Sequence, residues 1–222
     1  MKTLLHIDAS PRGGQSDVHR FGSHSRRLTA RFVRRWTESR PADLILRRDV
    51  GLTPPAMVTG DWIHAAFTPE AARAPWMAGT LAESDRLVNE LIAADVIVIG
   101  VPMYNFGPPA QLKAWIDNVV RVGRTFGFDR ARDPYTWPLL TEKPRDLVVI
   151  ASRGDVGYEP GEPYADRNHV EPSIFTAMSY LGLDRQHAIA VEGDEWADER
   201  LAQSLARAEA AVDRLVGVIG EE

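Results

Sequence analysis

The chain has 222 residues, of which 44% are hydrophobic and 26% are charged, and its formal net charge at pH 7 is −5. This composition suits a full hydrophobic core, and we interpret residues 1–222 as a single domain. The acidic balance argues against nucleic acid as a partner, and no apolar run reaches the roughly 18 residues of a membrane helix. The chain contains no cysteine, which excludes disulfides and thiolate metal sites and suits a cytoplasmic protein without fixing the compartment.

Five predicted strands alternate with predicted helices along the chain. The first residues pass directly into a strand pattern and lack the features of a signal peptide. In the first helix, Leu28, Phe32 and Val33 form an apolar face and the arginines are predicted to point outward. Residues 51–80 are predicted to be irregular. The predicted strands are residues 3–8, 43–50, 95–101, 146–152 and 187–193, and the predicted helices are residues 25–36, 83–94, a segment after residue 109, 173–183 and 198–220.

This alternation predicts an α/β fold in which a five-stranded parallel sheet carries helices on both faces. The apolar run DVIVIGV is typical of a central strand in such a sheet. Ligands of these folds bind at the carboxyl ends of the strands, beside the point where the strand order reverses. We therefore expect a site where the loops of residues 9–25, 102–109 and 152–172 meet.

The first of these loops connects a strand to a helix, where free backbone N–H groups and the helix dipole attract an anion. Ser10, Ser23 and Ser25 supply hydroxyl groups, and His24 supplies a further donor. The loop matches neither the P-loop of nucleoside triphosphatases nor G-x-G-x-x-G, so a phosphate monoester fits it better. The alternative is that Ser23 or Ser25 only caps the helix.

The second loop has the sequence PMYNFGPP, beginning at Pro102. Its prolines restrict the backbone, so the loop is held ready before a ligand arrives. Tyr104 and Phe106 offer flat aromatic surfaces for contact, and Met103 offers a flexible, polarizable side chain that can fill gaps around a ligand. The amides near Asn105 and Phe106 can donate to a ring nitrogen. The alternative is an ordinary turn whose aromatic side chains fold into the core.

The third loop begins with SRGD, residues 152–155. Gly154 permits a close approach of the backbone, and Arg153 can hold a carbonyl group or a delocalised negative charge. A solvated surface turn is the alternative. Together the three loops describe a phosphate pocket beside a pocket for a planar heteroaromatic ring, and FMN is the cofactor of that shape. The six histidines are scattered, and no pair has metal-ligand spacing, so no metal site is predicted.

The segment DVIVIGVPMYNFGPPAQLKAWIDNVVRVGRTF, residues 95–126, resembles the flavin-loop signature of the FMN-dependent NADH-azoreductases. These enzymes are also NAD(P)H:quinone oxidoreductases of flavodoxin-like fold, and the resemblance covers nearly the whole chain. It implies FMN as cofactor, NADH or NADPH as co-substrate, and a homodimer. It further implies two-electron, ping-pong hydride transfer through flavin N5 to a quinone or an aromatic azo compound.

The resemblance also assigns residues to the cofactor. The protein is expected to use no side chain as a catalytic nucleophile, and Arg153 is expected to give the reduced flavin electrostatic support. Asp155 replaces the second glycine of the family's Ser-Arg-Gly-Gly segment, and the loop before Ser23 is longer than is common in the family. The expected cofactor-binding residues are Ser10, Ser23, His24, Ser25, Pro102, Met103, Tyr104, Asn105, Phe106, Ser152, Arg153, Gly154 and Asp155.

Two other functions use the same fold. A flavodoxin-type electron carrier needs only the sheet and the flavin loops, so the additional segments 51–80 and 155–172 argue against it. Rapid NADH oxidation with a quinone would separate an enzyme from a carrier. A non-enzymatic binding or regulatory module is the second alternative, because fold does not fix function, and an apoprotein that never retains FMN would favour it.

A homodimer is also suggested by large aromatic side chains in segments without a predicted strand or helix. A second copy could cover them and provide apolar walls for the flavin. The alternative is that these segments fold over their own chain. The residues are Trp62, Phe67, Trp76, Phe128 and Trp137.

Overall fold

The computed structural model describes residues 1–220. Five of its strands form one parallel sheet in the order β2-β1-β3-β6-β7, and two short strands form a separate antiparallel pair. This is the flavodoxin-like strand order, and the predicted α/β fold with a five-stranded parallel sheet is confirmed. The strands are β1 (Thr3–Asp8), β2 (Leu44–Asp49), β3 (Val96–Pro102), β4 (Phe126–Phe128), β5 (Thr136–Pro138), β6 (Asp146–Ser152) and β7 (Arg185–Val191).

Helices cover the sheet on both faces because alternate strand residues point to opposite sides. Leu4, Val98 and Val148 face α1 and α6, whereas Leu5, Ile97 and Val149 face α3, α4 and α5. Every residue of β3 is buried, as expected for a central strand. The helices are α1 (His24–Ser39), α2 (Gly60–Phe67), α3 (Pro75–Ala93), α4 (Ala110–Val119), α5 (Glu171–Ser179) and α6 (Glu199–Gly220).

The prediction that residues 51–80 are irregular is wrong over much of its length. Thr59 caps α2 by accepting a hydrogen bond from the Trp62 amide at 3.2 Å, and Pro75 opens α3, where proline costs no helical hydrogen bond. The helix α2 has only eight residues and no long apolar stripe, so periodicity did not reveal it, whereas α3 contains most of the predicted helix of residues 83–94 and begins earlier, at Pro75. They are stabilised by a small cluster of Trp62, Ala65, Ala66, Met77 and Leu81.

The five aromatic residues outside the predicted elements have different environments. Trp62 is buried within its own chain, so it is not evidence that a second copy of the chain packs at this position. Phe128 is partly buried and packs on the core, and the Trp137 ring lies over Gly127. Phe67 and Trp76 are about half exposed, at 55% and 46%. Among these five residues, the exposed apolar surface is therefore concentrated at Phe67 and Trp76.

The topology brings the predicted loops to one edge. β1 pairs with β2 on one side and with β3 on the other, so the strand order reverses between β1 and β3. The carboxyl ends of β1, β3 and β6 therefore lie side by side, at residues 8, 102 and 152. Residues 1–220 include no helix long and apolar enough to cross a membrane. The single domain over residues 1–222 stays a prediction.

Candidate functional site

Three serine hydroxyls gather at the start of α1. Ser23 is the N-cap: its Oγ accepts a hydrogen bond from the Arg26 amide at 3.3 Å and lies 2.9 Å from Ser25 Oγ. Ser10, at the end of β1, accepts from the Arg12 amide at 3.2 Å through its own Oγ, and all three serines are buried. The first amides of a helix have no carbonyl partner within the helix. Hydroxyls and amides together form a donor set that suits a phosphate group.

The long first loop folds back on itself before it reaches Ser23. The Ser23 amide donates to the Gly14 carbonyl at 2.9 Å, and the Gly22 amide donates to the His19 carbonyl at 2.8 Å. Gly14 has a φ of +99°, and a side chain at Gly22 would meet the Gln15 carbonyl oxygen at 2.2 Å. Two glycines are therefore required for the extra length to form a closed turn that leaves the serines in place.

Arg26 corrects the expectation that the arginines of the first helix point outward. Its side chain is buried between the ends of β1 and β2 and donates to both carboxylate oxygens of Asp49 at 2.7 Å. It also lies 3.3 Å from Asp8 and donates to the Ser10 carbonyl. An arginine inside an arginine-rich helix gave no sequence signal of this role.

The charge of Arg26 is balanced by the two aspartates. Burial alone would raise the pKa of Asp8, but hydrogen bonding and charge from His6, together with Arg26 and Thr29, hold it below the usual value. Burial likewise opposes ionisation of Asp49, and the Arg26 hydrogen bonds outweigh it and lower the pKa. Both carboxylates are therefore ionised near neutral pH, and Arg26 joins β1, β2 and α1 directly below the hydroxyl cluster.

The second loop presents its aromatic side chains instead of burying them. Tyr104 and Gly107 exchange backbone hydrogen bonds at 2.9 and 3.1 Å, and φ is positive at Asn105 (49°) and Phe106 (70°). Positive φ at both central residues is the pattern of a type I′ turn, and it is strained for a phenylalanine. Tyr104 and Phe106 are exposed, whereas Met103 packs against the core. The turn holds a flat, partly apolar surface at the end of β3.

Backbone hydrogen bonds fasten the second and third loops together. The Met103 amide donates to the Ser152 carbonyl at 2.8 Å, and the His169 amide donates to the Phe106 carbonyl at 2.9 Å. The Arg153 amide in turn donates to the Val191 carbonyl at the end of β7. The aromatic turn is thereby fixed on two sides by segments that lie about 50 residues or more away in sequence.

Carboxylates occupy the two terminal nitrogens of the Arg153 guanidinium group, and its buried Nε has no hydrogen-bond partner. The group is buried and donates to carboxylates of Glu159, Glu171 and Glu192. Burial disfavours the charged form, yet the charges of Glu171 and the other two carboxylates raise the pKa of Arg153 above its usual value. Arg153 therefore joins the third loop to Glu171 and Glu192, and its electrostatic support of a reduced flavin stays a prediction.

Gly154 and Asp155 complete the third loop in different ways. A side chain at Gly154 would lie 2.5 Å from Glu195 Oε1, so the missing Cβ leaves room for the segment after β7. Asp155, which replaces a family glycine, lacks a left-handed backbone. Its carboxylate accepts from the Val156 amide at 2.8 Å and from the Trp196 indole at 2.9 Å. Asp155 therefore fastens the same segment through its side chain.

The segment after β7 is a fourth part of the site that sequence reasoning missed. Asp194 lies 3.0 Å from Nε2 of His24 and 3.4 Å from Arg12, while the other ring nitrogen of His24 lies 2.8 Å from Ser16. The His24 hydrogen bond, supported by the Arg12 charge, lowers the pKa of Asp194 despite its partial burial. The only available signal was that the segment follows the last strand at the ligand edge.

These groups surround a cavity of about 140 Å³ at the strand ends. The cavity wall includes all the predicted cofactor residues except Ser25, Asn105, Phe106 and Asp155, which lie behind it or beside it. Its lining residues are Ser10, Arg12, Ser23, His24, Pro102, Met103, Tyr104, Ser152, Arg153, Gly154, Asp194 and Glu195. The geometry thus joins a hydroxyl-rich end to an aromatic turn.

Residues 2–215 match a protein family that is described as having a flavodoxin-like fold. The chain belongs to this family. A relative named FMN-dependent NADH:quinone oxidoreductase 2, from Idiomarina loihiensis, is 42% identical over 94% of this chain and 86% of its own length. A relative named FMN-dependent NAD(P)H:quinone oxidoreductase 1, from Pseudomonas aeruginosa, is 40% identical over 88% of this chain and 89% of its own length.

Solved structures agree with this flavodoxin-like fold. An FMN-dependent NADH-azoreductase from Bacillus anthracis, crystallised in complex with FMN, superposes with a TM-score of 0.80 at 20% identity. The superposition covers 97% of this chain and all of the azoreductase chain. At this level of identity the likeness concerns the fold alone.

The donor set of this flavodoxin-like chain fits a flavin mononucleotide. Ser10, Ser23 and Ser25 can hold a terminal phosphate, and the backbone of residues 103–106 can face a planar ring. Asp194 would repel a phosphate, but Arg12 lies 3.4 Å from its carboxylate and offsets part of the charge, and Nε2 of His24 lies 3.0 Å from the same carboxylate. The hydroxyl cluster at the start of α1 suits one terminal phosphate.

Proposed function

We propose that this chain is an FMN-dependent NAD(P)H:quinone oxidoreductase that also reduces aromatic azo compounds. The curated relatives at 40–42% identity carry quinone oxidoreductase names, and solved azoreductases share the fold. The proposal includes NADH or NADPH as electron donor, a ping-pong order of the two substrates, and a cytoplasmic location.

One observation carries the proposal: a strained aromatic turn and a buried hydroxyl cluster occupy the same edge of the sheet. Positive φ at Asn105 and Phe106 is a cost that the fold itself does not require. Exposed Tyr104 and Phe106 beside it form a platform for a flat ring. Ser10 and Ser23 stand at the neighbouring strand end, where they can bind the phosphate of the same ligand.

FMN supplies the two-electron redox chemistry when it is bound. The protein's own residues bind and orient it. The serines and the first amides of α1 would bind the phosphate, and the amides of Asn105 and Phe106 would donate to the ring edge, since those of Tyr104 and Gly107 are paired within the turn. Met103 is packed on the core at the end of β3 and would give the ring an apolar contact there. Arg153 holds the third loop to the start of α5 and to the end of β7 through Glu159, Glu171 and Glu192.

The proposal is tested by identifying the flavin and the acceptor. Flavin released by heat should co-elute with FMN in chromatography, and the purified protein should oxidise NADH or NADPH with a quinone and with an azo dye without a partner reductase. FAD as the dominant flavin would contradict the cofactor assignment. FMN binding without acceptor-dependent NAD(P)H oxidation would contradict the enzyme assignment and leave the cofactor assignment standing.

We further propose that the protein is a homodimer whose interface includes Phe67. Phe67, Phe128 and Tyr135 form a chain of edge-to-face contacts with ring centroids 6.1 and 6.0 Å apart. The outer members are 55% and 60% exposed, which is the kind of aromatic surface that a two-fold partner covers. Sedimentation equilibrium at micromolar concentration should give twice the 24.7 kDa chain mass. A fully active monomer would overturn this proposal.

A further inference from the structure

Two acidic side chains lie in the wall of the proposed phosphate site. Asp194 and Glu195 follow β7 and line the same cavity as Ser10 and Ser23. A phosphate monoester carries a charge of about −1.5 to −2 near neutral pH, and a carboxylate close to it opposes its binding. A cavity that only had to hold a phosphate would not need these carboxylates, so their position requires a physical explanation.

The backbone of this segment is fixed against the third loop. The Asp194 amide donates to the Arg153 carbonyl at 3.3 Å, and the Glu195 amide donates to the Gly154 carbonyl at 3.0 Å. Gly193 precedes them with a φ of +90°, a left-handed conformation that glycine adopts without strain. Glu195 is exposed, so its carboxylate can remain in water, whereas Asp194 is partly buried at the cavity.

The Asp194 carboxylate contacts two donors that a phosphate could also use. It lies 3.0 Å from Nε2 of His24 and 3.4 Å from Nη1 of Arg12. His24 is the first residue of α1 and follows the cap Ser23, and the Arg12 amide donates to Ser10 Oγ at 3.2 Å. Both donors therefore stand beside the serine hydroxyls, and both line the cavity.

The two donors differ in how easily they can change partner. The side chains of Arg12 and Asp194 are 52% and 34% exposed, and ion pairs of this kind contribute little because water and salt screen them. Arg12 can therefore turn from Asp194 to a phosphate, with which a guanidinium group forms parallel hydrogen bonds. His24 is better fixed, since its side chain is 11% exposed and its Nδ1 lies 2.8 Å from Ser16 Oγ.

We propose that the Asp194 carboxylate competes with the FMN phosphate for Arg12 and His24, so that Asp194 lowers the affinity of the protein for FMN. The proposal rests on the FMN binding of the proposed function and adds a residue that opposes it. The effect concerns a phosphorylated flavin alone, since riboflavin has no anionic group that would bind the two donors. The hydrogen bond from His24 lowers the pKa of Asp194 despite its partial burial, so the carboxylate is charged throughout the neutral pH range.

Fluorescence titration of the apoprotein with FMN and with riboflavin tests the proposal. Asp194→Asn keeps the shape of the side chain and removes its charge. It should lower the FMN dissociation constant by about threefold or more and change that of riboflavin by less than about twofold. Asp198→Asn is the control, because it removes one negative charge from the same segment at an exposed residue that pairs with Arg200. It should leave both constants within about twofold of the wild type.

A double-mutant cycle separates competition from simple repulsion. Arg12→Gln should weaken FMN binding, and the gain from Asp194→Asn should be smaller in that background because the released donor is missing. Equal gains in the two backgrounds would show that Asp194 only repels the phosphate, and would overturn the proposal. Arg12 and Asp194 are both at least partly exposed, so the two single variants and the double variant are expected to fold.

Three further results would overturn the proposal. Unchanged or weaker FMN binding in Asp194→Asn would show that Asp194 does not oppose the phosphate. Equal tightening of FMN and riboflavin binding would place the effect at the ring. Equal tightening in Asp198→Asn would assign the effect to the overall charge of the protein. A wild-type apoprotein that binds no FMN would contradict the proposed cofactor itself, so the failure of the two proposals can be distinguished.

Discussion

The guanidinium group of Arg26 donates two hydrogen bonds to the carbonyl oxygen of Ser10, at 2.6 Å from Nη2 and 3.2 Å from Nε. The same group holds Asp49 at the end of β2. The position of the Ser10 backbone, and with it the Ser10 hydroxyl, is therefore set by a side chain from the first turn of α1. This relationship connects the rigid sheet edge to the proposed phosphate site.

Arg26→Lys should weaken FMN binding more than riboflavin binding. Lysine keeps the charge but cannot bond Ser10 and both oxygens of Asp49 together. We expect the FMN dissociation constant to rise about tenfold, or about 1.4 kcal/mol, whereas that of riboflavin, which lacks the phosphate, should change little. Fluorescence titration of the apoprotein with each flavin measures the two constants. Equal losses for the two flavins would mean that Arg26 supports the fold in general and not the phosphate site.

Ser23→Ala/Ser25→Ala should lower FMN affinity by roughly 1–3 kcal/mol, the range for hydrogen bonds to a charged group. Ser23 also caps α1, so the apoprotein should lose about 0.5–2 kcal/mol of unfolding free energy from the cap alone. Denaturant unfolding of the apoprotein and flavin titration separate the two effects. Ser173→Ala, at the start of α5, is the control for a helix-start serine outside the site. Unchanged FMN affinity in the double variant would limit the two serines to capping.

Acid should remove part of the stability that Asp49 provides. The pKa of Asp49 is lower in the folded protein than the unfolded value of about 3.9. Its contribution to the unfolding free energy is therefore complete above that value and is lost as the pH falls through the lower folded pKa. Urea unfolding between pH 2.5 and 7 should show a shallower acid limb in Asp49→Asn than in the wild type. The exposed substitution Asp61→Asn is the control, and equal slopes in all three proteins would contradict the prediction.

Gly100→Ala should destabilise the protein and disturb the start of α1. A Cβ at Gly100 would lie 2.7 Å from Cγ2 of Thr29 and 3.2 Å from the Ser25 carbonyl oxygen. Overpacking of this kind costs typically about 1–3 kcal/mol. Adding Thr29→Ser removes the clashing methyl group but keeps the hydroxyl that bonds Asp8, so the double variant should recover part of the loss. Thermal and urea unfolding give the comparison, and no recovery would mean that the backbone contact dominates.

Trp62→Ala and Phe67→Ala should have opposite effects: the first should lower the unfolding free energy of the chain, and the second should lower the affinity of the dimer. Trp62 is buried within its own chain, so its truncation should cost about 3–5 kcal/mol of unfolding free energy. Phe67 is mostly exposed, so its truncation should change chain stability little and should weaken the proposed dimer. Unfolding experiments and sedimentation equilibrium measure the two quantities. A dimer weakened only by Trp62→Ala would move the interface away from Phe67.

The sequence alone located the five strands of the parallel sheet and the aromatic turn because their signals are local, whereas the short strands β4 and β5 were not predicted. A continuous apolar run at residues 95–101 can only be a strand or a short helix segment, and its length and following prolines favour a strand. A helix start marked by Ser23 and the run PMYNFGPP depend on backbone preferences that act within a few residues. Because the strands were predicted to be parallel, the loops after them were expected at one edge of the sheet, where the carboxyl ends of the strands lie.

Only the tertiary structure decided which charged groups are free. Arg26 and Arg27 are neighbours in one helix, yet Arg26 is buried with Asp8 and Asp49 while Arg27 reaches Glu209. The three carboxylates of Arg153 lie 6, 18 and 39 residues away, and Asp194 lies 170 residues from His24. A charge can be buried only where partners from distant segments converge, and that convergence is fixed by the packing of β1, β2, β6 and β7 and leaves no trace in local sequence.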